Sequence, residues 1–169
     1  INILHDRGYL LKVHGGAMPP DNSKRKTFER RSIHLADEKQ RIAVAARTLF
    51  KPGDSLMIDA GSTTISFAKE MVKVSPITVI TNSLPVARLF WRKNKDNTVI
   101  QIGGALLYDT EETLGEIALQ QISQFSVNHA VLTVAGINGS GHMMRYRVDE
   151  VAIARAMVER AEKVTILAD

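Results

Sequence analysis

Residues 55–64 read SLMIDAGSTT, and this stretch decides the fold. The apolar run that opens it leads through Gly61 and three hydroxyl residues into a segment with apolar side chains at helical spacing, namely Ile65, Ala68 and Met71. A brief apolar run is typical of a buried strand, and helical spacing is typical of an amphipathic helix. The stretch therefore predicts a strand that passes through a loop of small residues directly into a helix.

The same alternation of apolar runs and helix-spaced apolar residues continues along the chain. Further strands are predicted at residues 77–81, 98–102, 130–134 and 164–168. Further helices are predicted after Asp37 and Ser83, each as a cap, and at residues 114–124 and 150–162. Short, uniformly apolar strands that alternate with helices are typical of parallel sheets covered on both faces. We predict an α/β fold with an open, mostly parallel, Rossmann-like sheet and helices on both faces.

Composition limits the classes of protein to which the chain can belong. Hydrophobic residues make up 44% of its 169 residues and charged residues 24%, which is typical of a globular domain. The absence of cysteine excludes disulfides and thiolate metal sites. The five histidines are scattered without metal-ligand spacing, and no apolar run approaches the ~20 residues that span a bilayer. We predict a cytoplasmic protein with no metal, no cofactor and no membrane segment.

The N-terminal part of the chain differs in character from the rest. Residues 1–13 have apolar side chains on either side of Gly8 and predict the end of a helix, a turn and a short strand. Residues 14–36 are rich in glycine, proline and basic side chains and predict a linker with room for one short structured turn. The basic side chains, part of a net charge of +4, are either solvated or in contact with phosphates. Residues 37–169 form the predicted α/β domain.

Small and polar residues follow the predicted strands. In open parallel sheets the ligand crevice lies beyond the carboxyl ends of the strands, so these residues are the candidate ligand contacts. They are Asp59, Gly61, Ser62, Thr63, Thr64, Thr81, Asn82, Gly103, Gly104 and Gly136. Glu150, near the start of the last helix, is a further candidate, although a role for it as a helix cap is favoured.

The loop that contains three hydroxyl residues is the sharpest of these candidates. Free backbone N–H groups at the start of a helix, together with the helix dipole, favour an anion. Ser62, Thr63 and Thr64 add hydroxyl donors, and Gly61 allows the backbone to approach a ligand closely. An ordinary helix cap formed by Ser62 or Thr63 explains the same residues equally well.

The remaining candidates suit hydroxyl groups better than phosphate. The charge of Asp59 repels phosphate, and its carboxylate would accept hydrogen bonds from sugar hydroxyls or from the amides of its own loop. Asn82 can donate and accept, which suits a polyol, or it caps the following helix. Gly103 and Gly104 either form a turn or admit a ligand against the backbone. The glycine fingerprints of nucleotide sites do not occur, which argues against a nucleotide-binding module.

Several short motifs, in order, resemble those of the DeoR family of bacterial transcription regulators. The segment from Arg7-Gly8-Tyr9 to Val13-His14-Gly15-Gly16-Ala17 is similar to the wing and exit of the N-terminal winged helix-turn-helix in that family. The motifs that resemble its sensor domain are Glu38-Lys39, Ile42-Ala43, Asp59-Ala60-Gly61-Ser62-Thr63-Thr64, Thr81-Asn82-Ser83-Leu84, Gly103-Gly104 and Leu114-Gly115. Several motifs in the right order are far more specific than any one of them, and the match covers nearly the whole chain.

The resemblance implies a sensor domain similar in fold to ribose-5-phosphate isomerase and glucosamine-6-phosphate deaminase. It implies a phosphorylated sugar as the effector, with residues 61–64 as the phosphate cradle and Asp59, Asn82 and Gly104 nearby. It also implies a homo-oligomer that binds operator DNA through an N-terminal domain mostly outside this sequence. The family usually continues past the position of Asp169 into a Ser-Lys-like segment, so the sensor domain is expected to be truncated at its C-terminus.

Two functions remain open on this fold. One is a repressor of sugar metabolism that binds its effector without turnover, and the other is a sugar-phosphate isomerase or deaminase. Carboxylates such as Glu111, Glu112 and Asp149 are available for acid–base chemistry, but no histidine–carboxylate constellation is evident. An isomerase has no use for a winged-helix remnant. We therefore predict a DNA-binding regulator and no catalytic residues.

Overall fold

The computed structural model describes residues 11–13, 16–18 and 28–169. In the first two of these ranges, β1 (Leu11–Val13) pairs antiparallel with β2 (Gly16–Met18). The helix end and the turn predicted around Gly8 lie outside the described residues, as do the basic residues Lys24, Arg25 and Lys26. The remnant of a DNA-binding domain therefore stays a prediction.

Helices and strands alternate over the remaining residues. In chain order they are α1 (Phe28–Ile33), α2 (Ala36–Arg47), β3 (Ser55–Ile58), α3 (Ser62–Met71), β4 (Thr78–Thr81), α4 (Leu84–Lys93), β5 (Thr98–Gln101), β6 (Ala105–Leu107), β7 (Glu112–Leu114), α5 (Glu116–Ile122), β8 (Val127–Thr133), β9 (Gly136–Ile137), β10 (Met143–Met144), α6 (Val148–Glu159) and β11 (Ala161–Leu167). The strands and helices predicted from residue 37 onward are all present, with ends shifted by a few residues.

The central sheet has five parallel strands in the order β11-β8-β3-β4-β5. In its middle strand, β3, Met57 lies opposite Ile80 of β4 and opposite Ala130 of β8. Each connection between paired strands includes a helix, as parallel pairing usually requires. The predicted open parallel sheet is confirmed, and the carboxyl ends of all its strands lie at the same edge.

Alternate side chains of the strands pack on opposite faces of the sheet. On one face, Leu56 and Ile58 pack with side chains of α2, α3 and α4, including the fully buried Phe67. On the other face, Met57 and Ile80 pack with side chains of α5 and α6. Helices therefore cover both faces, as predicted, and the sheet separates two hydrophobic cores.

The predicted linker contains α1, and α2 begins one residue before Asp37. His34 donates its backbone N–H to the Arg30 carbonyl at 2.9 Å, and Leu35 turns the chain into α2 with a left-handed φ of 53°. No side chain of the described residues caps α2. The predicted cap at Asp37 is therefore wrong, because this residue lies in the first helical turn, where the helix dipole favours its charge.

The start of α4 has the cap that the sequence predicts. The hydroxyl oxygen of the buried Ser83 accepts the backbone N–H of Val86 at 3.4 Å. Pro85 occupies the first turn, where a helix has no use for a backbone N–H. These contacts fix the direction in which the chain leaves the carboxyl end of β4.

Two short antiparallel hairpins add to the predicted elements. β6 pairs with β7, and β9 pairs with β10. Strands of two or three residues show no periodicity in a sequence, and β7 takes up the start of the helix predicted at residues 114–124. β6 follows β5 and β9 follows β8, so both hairpins adjoin the edge at which the ligand is predicted.

Two further features of the described residues bear on function. Their helices are all too short or too polar to cross a bilayer. They also contain no group of three or more His, Asp or Glu side chains placed to hold a metal ion.

Candidate ligand-binding site

Asp59 lies at the carboxyl edge directly after β3 and is buried, with 1% of its surface exposed. Its carboxylate oxygens accept the backbone N–H of Thr133 at 3.2 and 3.1 Å. Its Oδ2 also accepts a hydrogen bond from Nη2 of Arg145, which donates to the Thr133 carbonyl at 2.6 Å as well. The end of β8 and the segment between β10 and α6 are therefore joined through one buried carboxylate.

Burial raises the pKa of Asp59 from 3.8 to about 6, because a buried carboxylate loses its hydration. The Arg145 guanidinium and neighbouring hydrogen-bond donors lower this pKa but do not offset the effect of burial. Burial also disfavours the charged form of Arg145, but the carboxylates of Asp59, Glu150 and Glu112 hold the pKa of the guanidinium above its ordinary value. Arg145 therefore stays charged, while Asp59 titrates in the mildly acidic range.

Gly61 allows the loop before α3 to pack against the end of β8. Its backbone is extended, and a Cβ atom added to it would lie only 2.3 Å from Cγ2 of Thr133. Thr64 donates its hydroxyl to the Gly61 carbonyl at 3.0 Å and closes the loop. The loop of small residues thus lies directly beside the Asp59–Arg145 pair, since Thr133 contacts both.

The first turn of α3 leaves its backbone donors free. Gly61 occupies the N-cap position, and none of the described side chains caps the helix. Within the described part of the chain, the backbone N–H groups of Ser62, Thr63 and Thr64 have no acceptor, and the Ser62 hydroxyl has no partner. The alternative of an ordinary cap formed by Ser62 or Thr63 therefore does not hold, and a helix start of this kind suits an anion.

The Thr63 side chain has a structural partner. It donates its hydroxyl to Oδ1 of Asp169 at 2.8 Å, and the buried Lys39 ammonium contacts Oδ2 at 2.5 Å. Burial would raise the pKa of Asp169, but its contacts with Lys39 and Thr63 hold that pKa below the usual range. The carboxyl end of β11 is thereby fixed to α2 and α3, and of the three hydroxyls in the loop Ser62 is the one left for a ligand.

Asn82 follows β4 and has an unused acceptor. Its Nδ2 donates to Oε2 of Glu112 at 3.3 Å and to the Thr113 carbonyl at 3.1 Å. Both partners are acceptors, so the amide can have only this orientation. Its Oδ1 is fully buried and has no hydrogen-bond partner among the residues that the structure describes. The alternative role of Asn82 as a helix cap does not hold, because Ser83 caps α4.

Thr81 has a structural role in this edge. Its hydroxyl donates to the Ile58 carbonyl at 2.5 Å and accepts the backbone N–H of Ser83 at 3.1 Å. The residue is completely buried. These bonds join the ends of β3 and β4 and occupy the hydroxyl that was a candidate ligand contact.

Glu112 and Glu150 bring two more buried carboxylates to the edge. Glu112, 3% exposed, accepts the Thr110 hydroxyl at 2.6 Å in addition to the Asn82 amide. Glu150, 5% exposed, lies in the first turn of α6, where Arg147 holds the N-cap position without a side-chain cap. The favoured role of Glu150 as a helix cap is therefore wrong, and its carboxylate instead acts on the charge of Arg145.

The three candidate glycines outside the loop border the site and serve packing. The backbone N–H of Gly103 donates to Oε1 of Gln121 at 2.7 Å. Gly104 has a φ of +135°, and a Cβ atom on it would lie 2.6 Å from the Leu114 carbonyl oxygen. Gly136 pairs with Met144 in the β9–β10 hairpin. Their role as ligand contacts stays a prediction.

The structure thus brings several of the predicted ligand contacts together, and it places further residues beside them that were not among the predicted contacts. Asp59, Gly61 and Thr64 lie together around Thr133, and Asn82 lies on the β6–β7 hairpin. The added residues are Arg145, Glu112 and Lys39. Arg145 belongs to a stretch, residues 142–147, to which the sequence pattern assigns no role. Glu112 was named only as an available carboxylate and Lys39 only as part of the Glu38-Lys39 motif, and neither was a candidate ligand contact.

A cavity of about 360 Å³ lies elsewhere, between α3 and α4, and its lining includes Ile65, Leu89 and Arg88. Its walls are aliphatic side chains and the stems of basic ones, without the convergent acceptors and donors found at the sheet edge. Ligand specificity requires a few well-placed polar groups in addition to space. The carboxyl edge is therefore the better candidate for the ligand site.

The chain is similar to several curated transcription repressors. It is 31% identical over 169 residues to the glycerol-3-phosphate regulon repressor of Escherichia coli (strain K12), a match that covers 100% of this chain and 67% of the relative. It is 28% identical over 169 residues to the HTH-type transcriptional regulator IolR of Bacillus subtilis (strain 168), with 100% and 67% covered.

Among solved structures, the fold is similar to that of ribose 5-phosphate isomerase A from Neisseria gonorrhoeae. The TM-score is 0.55 at 18% identity, over 79% of this chain and 52% of that one. A family model described as the DeoR C terminal sensor domain matches residues 35–169. The chain therefore belongs to the DeoR family of transcription regulators, and it carries the C-terminal sensor domain of that family.

Proposed function

We propose that the protein is a DNA-binding repressor of sugar metabolism whose sensor domain binds a phosphorylated sugar at the carboxyl edge of the sheet. Its relatives include a repressor named for a glycerol-3-phosphate regulon. The chain spans 67% of the length of that relative, and operator DNA is the proposed partner of an N-terminal domain.

One observation carries this proposal: hydrogen-bond donors and an acceptor that have no partner among the described residues lie at the carboxyl edge of the sheet. The free N–H groups at the start of α3 suit the oxygens of a phosphoryl group. No donor in the described part of the chain reaches Oδ1 of Asn82, and a sugar hydroxyl would supply one. Ile58 and Thr81 are register partners, so Asp59 and Asn82 follow on neighbouring strands that lie ~5 Å apart. A phosphorylated polyol carries both complementary groups in one small molecule.

A sugar-phosphate isomerase is the second candidate, and the pKa of Asp59 favours it. A carboxylate with a pKa of about 6 is suited to act as a general base near neutral pH. However, both oxygens of Asp59 already accept hydrogen bonds from Thr133, and one also contacts Arg145. A base with so many structural partners is poorly placed to abstract a proton, and we favour binding without turnover.

The proposed repressor acts as a cytoplasmic homo-oligomer. Effector binding is expected to change the geometry of the oligomer and to move the DNA-binding domains out of register with the two halves of the operator. The operator affinity of the intact protein, measured with and without saturating effector, tests this mechanism. An unchanged affinity would exclude it.

The ligand class is tested by thermal unfolding of the chain with sugar phosphates, their unphosphorylated parents and nucleotides. A ligand at 100 times its dissociation constant adds about 2.7 kcal/mol to the free energy of unfolding, which is easily measured. Stabilisation by one sugar phosphate that is recovered unchanged supports the sensor. Conversion of that compound supports the isomerase, and stabilisation only by nucleotides would refute both.

Substitution of Ser62 tests whether the phosphoryl group binds at the start of α3. Its hydroxyl has no partner among the described residues, so Ser62→Ala should not change stability, yet it removes a donor to the phosphoryl group and should weaken binding roughly 2- to 10-fold. Ser66→Ala is the matched control, since Ser66 lies one turn later and donates its hydroxyl to the Ser62 carbonyl at 3.3 Å. Equal affinities for the two variants would argue against the start of α3 as the anion site.

A further inference from the structure

The cavity between α3 and α4 is a groove with an apolar lining and a basic rim. Its apolar side chains, those of Ile65, Pro85 and Leu89, are half-buried. The other lining residues are exposed cations, namely Lys69, Arg88, Arg92 and Lys93. Among the described residues, none of these four cations has a carboxylate partner. A surface of this kind attracts acidic groups.

The two helices cannot neutralise the basic rim themselves. α4 contains no acidic residue, and the one acidic residue of α3, Glu70, is buried and bonded to Lys73 at 2.6 Å and to Gln40 at 2.8 Å. Arg88 and Arg92 lie one turn apart on α4, where like charges repel each other. A small anion would relieve this repulsion but would leave the apolar lining in water. The groove therefore suits a surface that carries both acidic and apolar side chains.

The tip of the β6–β7 hairpin, residues 106–111, is such a surface. Tyr108 is 90% exposed and Leu106 is 60% exposed. Asp109 and Glu111 are exposed as well, and no cation in the described part of the chain pairs with either carboxylate. Large exposed aromatic side chains such as tyrosine are favoured anchors at protein interfaces. The chain thus carries a segment with the chemistry that its own groove requires.

The hairpin tip borders the basic groove at the start of α4. The backbone N–H of Leu84 donates to the Glu111 carbonyl at 2.9 Å, and the next residue, Pro85, lines the groove. Within one chain, the structure shows no ion pair between the acids of the described tip and the cations of the groove. Two adjoining halves of opposite charge form a surface that is complementary to itself. A two-fold dimer needs such a surface, because the same patch of both copies meets at the interface.

We propose that two copies of this chain associate through this surface, with the hairpin tip of each copy bound in the basic groove of the other. The inference rests on the homo-oligomer of the proposed function and deepens it by naming the interface. Tyr108 and Leu106 cover the apolar lining, and Asp109 and Glu111 pair with the cations of the rim. The interface adjoins the candidate ligand site, because Ile65 directly follows the loop that begins α3.

The test exchanges charge between the two halves and measures self-association of the chain by sedimentation velocity. The wild type should form a dimer. Arg88→Glu with Arg92→Glu should raise the dissociation constant of the dimer roughly 10- to 100-fold, because like charges would then face each other in both contacts. Asp109→Lys with Glu111→Lys should do the same.

Mixing these two variants is the decisive measurement. In the mixed dimer each hairpin tip again meets a groove of opposite charge, so an equimolar mixture should recover most of the wild-type affinity. Arg155→Glu with Lys163→Glu is the matched control, since both residues are exposed, lie on α6 and β11, and change the net charge as much as the groove variant does. This control should dimerise like the wild type.

A monomeric wild type would overturn the proposal, and so would a dimer that both charge variants form as well as the control does. In the second case another surface joins the copies and the homo-oligomer stands. If the groove variant lost affinity for duplex DNA and kept its self-association, the groove would serve nucleic acid, which would also overturn the proposal. In each of these cases, stabilisation of the chain by a sugar phosphate would leave the effector function standing, so the two failures are distinguishable.

Discussion

Replacement of Gly61 by alanine should destabilise the domain through a single steric contact. The new Cβ atom would lie 2.3 Å from Cγ2 of Thr133, well inside van der Waals contact, while the next contacts, to Thr133 Cβ and Thr64 Oγ1, would be 3.4 Å and tolerable. The backbone of Gly61 is extended, with a φ of 174°, so alanine adds no conformational strain. The expected cost is that of overpacking, about 1–3 kcal/mol in the free energy of unfolding.

A second substitution isolates this contact. Thr133→Ser removes Cγ2 and keeps the hydroxyl, so on its own it should cost less than about 1 kcal/mol at this half-buried position. Gly61→Ala combined with Thr133→Ser should then recover most of the stability lost in Gly61→Ala, a coupling that urea unfolding of the four proteins measures directly. Additive effects of the two substitutions, or a Gly61→Ala variant as stable as the wild type, would refute the packing described for this loop.

Three further predictions concern stability. The native state holds the proton of Asp59 up to about pH 6 and the unfolded chain only up to about pH 3.8, so this residue should lower the free energy of unfolding by about 3 kcal/mol as the pH rises through that window. Urea unfolding of the wild type and of Asp59→Asn across pH 3–8 should show this decrease as a growing difference between the two proteins, and a difference that stays constant with pH would contradict it. Phe67→Ala, at a fully buried position, should cost about 3–5 kcal/mol in the same assay, and a loss below 1 kcal/mol would show that the core collapses around the gap. Ser83→Ala should cost about 1 kcal/mol through loss of the cap to Val86, with thermal unfolding as the measurement and an unchanged midpoint as the contrary result.

The fold could be predicted from the sequence because its signals are local. Each sheet strand is a short apolar run, and Ser83 has the hydroxyl and the following Pro85 that mark a helix start. The β6–β7 hairpin could not be predicted in the same way. It depends on Gly104 approaching the Leu114 carbonyl, a contact between residues that are separated in the chain and have no periodicity.

The candidate site could be predicted only as far as the topology determines it. The rule that ligands bind beyond the carboxyl ends of parallel strands led to Asp59, the loop before α3 and Asn82. It gave no indication that the Thr63 and Thr81 hydroxyls have structural partners, because such bonds depend on side-chain geometry. Arg145 was missed for a related reason: its partner Asp59 is far away in sequence, and an arginine in a loop gives no sign that it will be buried.

The parallel sheet separates two hydrophobic cores, and the proposed site draws on the layers of both. The free N–H groups and Asn82 belong to the starts of α3 and α4, which pack in one core, whereas Arg145 and Glu150 belong to the segment around the start of α6, which packs in the other. A bound molecule would therefore bridge the two layers at the edge of the sheet, where the contact between Asp59 and Arg145 already joins them. Amide hydrogen exchange should consequently slow on both sides at once when the effector binds, and the domain should open as a single cooperative unit.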